Sequence, residues 1–304
     1  MFRTGQFLGA IALSALILSP AIAVEKSKDA NPSSSTATPA VTSGGNSDKT
    51  PSKKPTTTTQ TPTATRSVDD ILDEADQYYD GDGVKQDYDK ALALYREAAA
   101  MGDGYGYDMV GLMYDLGRSV KEDPKEAMAW YRKAADAGFY TAMVNIGTLY
   151  EQGRGVTKDL EEAVSWYRKA AEKDNLRGMY YLGDMYLEGR GIGKDLEEAV
   201  SWYQKAVDGG YADAYWALSL RYVYGEGVSK DTHKAADLAY YALTHGVQSA
   251  HDNLFDARNK NVSANFLRRI QELLKQDGFY DGKADGNFGP QTRTAIEAAF
   301  GTAN

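Results

Sequence analysis

The acidic pairs Glu161-Glu162 and Glu197-Glu198 are the first side chains here whose types and spacing could do chemistry, because two neighbouring carboxylates can act as general acid and base. Each pair, however, follows directly on an Asp-Leu step (Asp159, Asp195), where acids complement the positive end of a helix dipole. A duplicated helix start explains them more simply than a duplicated catalytic dyad. The histidines offer little more. His245 and His251 are badly spaced for a shared metal on one helical face, and His233 stands apart from both. There is no cysteine, which removes disulfides, thiolate nucleophiles and thiolate metal sites together. No Gly-x-Ser-x-Gly elbow occurs, and the Gly-Arg-Gly turns lack the lysine of a phosphate-binding loop. Neither catalysis nor a metal or cofactor is expected.

The elements that carry these residues are set by an internal repeat. Tyr114, Tyr150, Tyr186 and Tyr222 fall at a constant step of 36 residues, as do Gly81, Gly117, Gly153, Gly189 and Gly225. Asp87, Asp123, Asp159, Asp195 and Asp231 keep the same step, and so do Trp130, Trp166 and Trp202, each followed by a tyrosine. One unit builds as two helices. Ala142 to Tyr150 makes the first, and a left-handed glycine ends it. A tight turn leads to an aspartate that caps the second, with Asp159-x-x-Glu162 in the form of a capping box. The second helix places Ala163, Trp166, Tyr167 and Ala170 on one stripe, and Gly147 and Gly183 in the first helices predict a close neighbour. One such pair cannot bury its stripe alone, whereas stacked copies can, which predicts an all-α solenoid over 68–259 of about five helix-turn-helix repeats.

The unit resembles the Sel-one-like repeat, a relative of the tetratricopeptide repeat, most fully at 142–177 and 178–213. The first unit is weak in its leading helix, the second has Ser119 at a turn glycine, and the fifth has Leu238-Ala239 for Trp-Tyr. Residues 249–259 read as a half-unit closing the stack. The resemblance implies protein–protein adaptor work, with the first helices lining the inner face. There the columns Asp108, Val144, Tyr180, Trp216 and Met109, Asn145, Tyr181, Ala217 vary while the framework repeats, so packing does not fix them. Tyr180, Tyr181 and Trp216, with Arg177 and Asp184, are the candidate partner-binding residues, since aromatics make strong anchors. Inter-repeat packing is the competing explanation for them.

Residues 260–304 change character. An amphipathic helix over Phe266 to Leu274 is followed by a Gly- and Asp-rich loop and by a helix starting at Pro290. Ile270-Gln271, Leu274, Gly278, Tyr280, Gly282, Asp285-Gly286, Phe288-Gly289, Thr292 and Ala295 resemble the hallmark of the three-helix type of peptidoglycan-binding domain. That resemblance implies wall contacts from Tyr280, Asp285, Phe288, Gln291 and Thr292. Asp285, Gly286, Phe288 and Gly289 read more simply as turn and core residues that shape the loop. The domain's usual first helix is poorly visible before Val262, and its closing Phe-Gln falls at Ala299-Phe300. The module is therefore expected to borrow packing from the end of the solenoid.

At the other end, Arg3 precedes an apolar run from Phe7 to Leu18 and then Ala21-Ile22-Ala23, the layout of a secretory signal peptide over 1–23. The run is short for a membrane span, and an uncleaved anchor is the alternative. Residues 24–67 are rich in Ser, Thr, Pro and Lys, with too few apolar side chains to offset ordering, and are expected to be a disordered linker. The net charge of -9 understates the acidity of 68–263, because 1–67 is net basic. An acidic body repels phosphate backbones, so nucleic acid is not expected as a partner, and nothing after the leader could cross a bilayer. Together these features predict an exported, periplasmic or secreted scaffold or regulator for an envelope protein, with peptidoglycan as a second partner. The alternatives are a cell-wall or β-lactam hydrolase and a secreted host-directed effector.

Overall fold

The structure is a computed structural model that describes residues 66–255 and 263–302. The expected leader, and the expected linker up to residue 65, lie outside the described residues. Thirteen helices and no strand occur among the described residues. Five consecutive pairs form the repeats: α1 (Val68–Asp80) with α2 (Tyr88–Ala100), α3 (Gly104–Leu116) with α4 (Pro124–Asp136), and α5 (Thr141–Gln152) with α6 (Leu160–Ala171). The last two are α7 (Leu176–Glu188) with α8 (Leu196–Asp208) and α9 (Ala212–Tyr224) with α10 (Thr232–Thr244). The short α11 (Gln248–Phe255) follows, then α12 (Ala264–Gln276) and α13 (Pro290–Gly301). Each helix packs on the next from α1 through α10.

The aspartate column does what its spacing predicts. Asp159 and Asp195 accept the backbone N–H of Glu162 and Glu198 at 3.0 Å, and Asp231 accepts that of Lys234 at 3.0 Å. The reciprocal half of the expected capping box does not form at Asp159. The Glu162 carboxylate instead accepts the indole N–H of Trp166 at 2.8 Å, one turn further along α6. Among the described residues a full capping box occurs only at Ser67, with Asp70, where α1 begins. At the end of α6 the pair Asp174-Asn175 stands where other repeats have a left-handed glycine. Asp174 adopts φ 58°, and Asn175 caps α7 by accepting from Gly178 N–H at 2.8 Å.

The glycines within the first helices have a specific partner. A Cβ on Gly147 would lie 2.6 Å from the ring of Tyr167, and one on Gly183 would lie 2.7 Å from that of Tyr203. These tyrosines, with Tyr95 and Tyr131, are fully buried. The glycine therefore lets the second helix's aromatic ring approach the first helix's backbone directly. Trp166, expected on the same stripe, is only half-buried and carries Lys169 over its ring at 4.0 Å. In the fifth repeat both members change together, to Ser219 and Ala239.

Successive repeats are tied by turn residues. Arg154 pairs with Asp115 at 3.0 Å, and Arg190 pairs with Glu151, each reaching from its Gly-Arg-Gly turn to the first helix of the repeat before. A Cβ on Gly191 would strike the Leu160 carbonyl at the start of α6, whereas Gly83, in the first repeat, has nothing within 4 Å. Ser119 fills the corresponding place at φ 65°, and its hydroxyl donates to Asp89 at the start of α2.

Candidate functional site

Two surfaces carry the sequence candidates. On the first-helix face, groups from successive repeats form a chain. Asn145 of α5 donates to the Asp108 carboxylate of α3 at 2.9 Å, and Arg177 of α7 donates to the Asn145 side-chain oxygen at 3.4 Å. The Arg177 guanidinium lies 5.6 Å from the Tyr181 ring centre. Tyr181 stacks on Tyr167 at 5.1 Å, and Tyr180 meets Tyr181, Tyr203 and Tyr211 at 5.4, 5.9 and 5.5 Å. Asp184, one residue past the glycine that receives Tyr203, accepts that ring's hydroxyl. The structure thus gathers Arg177, Tyr180, Tyr181 and Asp184 into one half-buried cluster.

Trp216 does not join them. Its indole is only 9% exposed and packs in a core shared with α10 and α12, so the expectation of an exposed groove aromatic is corrected there. Its column neighbours explain the difference: Val144 is fully buried and Asp108 nearly so, which makes this an inward-facing column that only Tyr180 partly escapes. Asp108, Asn145 and Tyr211 enter the cluster although they were not candidates. Asp108 and Asn145 gave a signal, as polar residues in columns that elsewhere hold apolar ones; Tyr211, ahead of α9, gave none.

Burial controls the ionisation of this cluster. It pushes the Asp108 carboxyl up to about 7, against the opposing pull of the Asn145 hydrogen bond and the Arg177 charge. Asp184 is likewise pushed up to about 7 by burial, with the Tyr203 hydroxyl and Arg190 acting the other way. Burial opposes the charge on Arg177, but Tyr181, Tyr211 and Asp108 outweigh it and raise its pKa. The arrangement offers one guanidinium, a row of phenol edges and two carboxyls whose ionisation burial opposes, which suits the mixed polar and aromatic chemistry of a protein surface.

The second surface is the loop between α12 and α13. Its centre is Gln271, fully buried on α12. The Gln271 side-chain oxygen accepts Gly286 N–H at 2.7 Å, and its nitrogen donates to the Asn287 carbonyl at 3.0 Å and the Thr292 hydroxyl at 2.9 Å. Tyr280 and Thr292 are buried, with the Tyr280 hydroxyl donating to the Lys283 carbonyl at 3.0 Å. They brace the loop from within instead of facing outward, which corrects their expected placement. Asp285 is exposed but accepts from Asn287 N–H at 2.8 Å and from Gln271 at 3.2 Å, and the Asn287 bonds hold its carboxyl below the usual range. Phe288 is half-buried under Arg293, and Gln291 is exposed.

Five stretches of the chain, 75–103, 105–139, 141–175, 176–211 and 212–247, match the Sel1 repeat model and together span more than half of it. The chain belongs to the Sel1 repeat family. Residues 263–299 match the model described as "Putative peptidoglycan binding domain", so the Sel1 repeats are followed by that module. A Sel1 repeat protein from Oxalobacter formigenes is similar at 27% identity and a TM-score of 0.60, over 81% of this chain and 91% of its own. A protective antigen present in uropathogenic Escherichia coli strains, which displays an SLR fold, is 27% identical with a TM-score of 0.54. That match covers 77% of this chain and 53% of the antigen. An immunity protein from Pseudomonas aeruginosa shares the fold at 19% identity and a TM-score of 0.54, over 78% of this chain and 81% of its own. No curated protein matches the chain. Among the described residues no group of three metal-ligating side chains is set to hold an ion, and no helix is long and apolar enough to cross a membrane.

Proposed function

We propose that this chain is an exported, periplasmic scaffold that holds a protein partner on its first-helix face while its C-terminal module associates with peptidoglycan. The carrying observation is the cluster of Arg177, Tyr180, Tyr181 and Asp184, joined through Asn145 to Asp108 across three first helices. Such a surface places aromatic edges and an arginine where the repeat framework does not dictate the residue, which is the composition of binding hot spots. Membership of a solenoid repeat family and the match at 263–299 support adaptor work and wall association. The charged start, apolar run and small-x-small step at Ala21-Ile22-Ala23 support export.

Recovery of partners from envelope extracts should fall at least tenfold when Tyr180→Ala and Tyr181→Ala are combined, and undiminished recovery rejects this face. On the module, Gln291→Glu should reduce co-sedimentation with purified peptidoglycan; wild-type protein left wholly in the supernatant rejects wall association. Clearing of a peptidoglycan gel by the purified chain would replace the scaffold reading with the hydrolase one.

A further inference from the structure

The peptidoglycan-binding-type module and the last repeat share one core. Trp216, Tyr240 and Leu243 from α9 and α10 belong to the same buried cluster as Ile270 and Leu274 of α12 and Ile296 of α13. Polar ties reinforce it at the rim. Tyr240 donates its hydroxyl to Asp277 at 2.6 Å, and Arg269 pairs with Asp237 at 2.7 Å. On the other side the Phe300 ring lies 4.4 Å from that of His251.

The fifth repeat is built to receive this contact. Where the fourth repeat has Gly183 and Tyr203, the fifth has Ser219 and Ala239, and Ala239 lies in the core shared with the module. It has lost the large ring that fills the earlier repeats and kept only small groups in its place. Ser219 is fully buried and spends its hydroxyl on the Ala235 carbonyl at 2.8 Å. The module is equally incomplete, since two helices and a loop of roughly 40 residues bury too little surface to be stable alone. Each half supplies what the other lacks.

We infer that the C-terminal module is the cap of the solenoid, and that α9–α10 and α12–α13 open and close as a single cooperative unit. Anything that grips the module then also holds the last repeat, and loosening one loosens the other by the same amount. The inference stands whatever the module binds.

Native-state hydrogen exchange on the full chain tests it with Gln271→Ala, whose lost bonds all lie within the module and none on α10. Amides of α9–α10 should lose protection by the same factor as those of α12, about tenfold to a hundredfold, while α5–α6 keep theirs. Loosening confined to α12–α13 overturns the inference, including the case in which the variant module does not fold at all. As a second variant, Tyr240→Phe with Asp237→Ala cuts only the ties between the halves. Both halves should lose protection a fewfold together, and a loosened α12 beside an unchanged α9–α10 again overturns it.

Discussion

The two ends of the solenoid are closed in opposite ways. At the amino-terminal end, α1 carries Asp70, Glu74 and Gln77 at the positions that hold Gly106, Val110 and Met113 in α3. In α3 this face packs against the repeat before, and a Cβ on Gly106 would lie 2.9 Å from the α2 backbone. Charged and amide groups there turn the same face toward water, with Glu74 paired to Arg66. At the carboxyl-terminal end the apolar character is kept and covered by α12 and α13. A charged end costs little and stays passive, whereas a packed end fuses its neighbour into the stack. Departures from a repeat consensus thus carry information of two kinds. Polar replacements mark where stacking stops, and large-to-small replacements mark where something else takes over.

The largest effect is expected at the packed end. Ile270→Ala should destabilise the chain by about 2–5 kcal/mol in chemical denaturation, because the residue is fully buried in the shared core. Between the ends, Gly183→Ala should cost about 1–3 kcal/mol by pressing a methyl group into the Tyr203 ring. In a Tyr203→Ala background, which imitates the fifth repeat, most of that cost should vanish. A double-mutant cycle with no coupling would show that the glycine serves something other than the ring.

Asp108 gives a smaller, pH-dependent effect. Its folded pKa of about 7 lies above the ordinary 3.8, so the folded chain binds the proton more tightly than the unfolded one. Stability from the protonated carboxyl is present below pH 4 and is lost as the pH rises through 7. Asp108→Asn should flatten that decline, gaining about 1–2 kcal/mol over wild type at pH 8 relative to pH 4, read as the difference in Tm. The smallest change in stability is expected at the charged end. Glu74→Val with Gln77→Met restores the repeat consensus on α1 and should alter stability by less than about 0.5 kcal/mol. It should nevertheless create concentration-dependent self-association in sedimentation velocity, and a monomer at all concentrations would show that charge is not what closes this end.

Much of this fold was legible because a constant period is a local signal. The aspartate caps, the left-handed glycines and the two-helix unit follow from the backbone's own hydrogen-bonding needs and recur with the sequence. The candidate cluster was partly legible, since Arg177, Tyr180, Tyr181 and Asp184 lie within two turns of one helix and were bound to meet. Trp216 misled because its column points inward, and helical position alone does not say whether a neighbour covers a side chain. Gln271 was missed as an organiser because an amide in an amphipathic helix reads as surface until the loop that wraps it is in place. The glutamates after Asp159 and Asp195 were correctly placed at helix starts, but the indole that claims Glu162 lies on the following turn.

Periodicity and capping residues, then, were enough to establish the helices, their pairing and their order, because those depend on contacts between residues close along the chain. Tertiary structure alone decided which rings are buried, which carboxyls are forced toward neutrality and which residues of the last repeat meet the module. Those outcomes depend on what arrives from tens of residues away to exclude water, and a side chain's own identity does not record that.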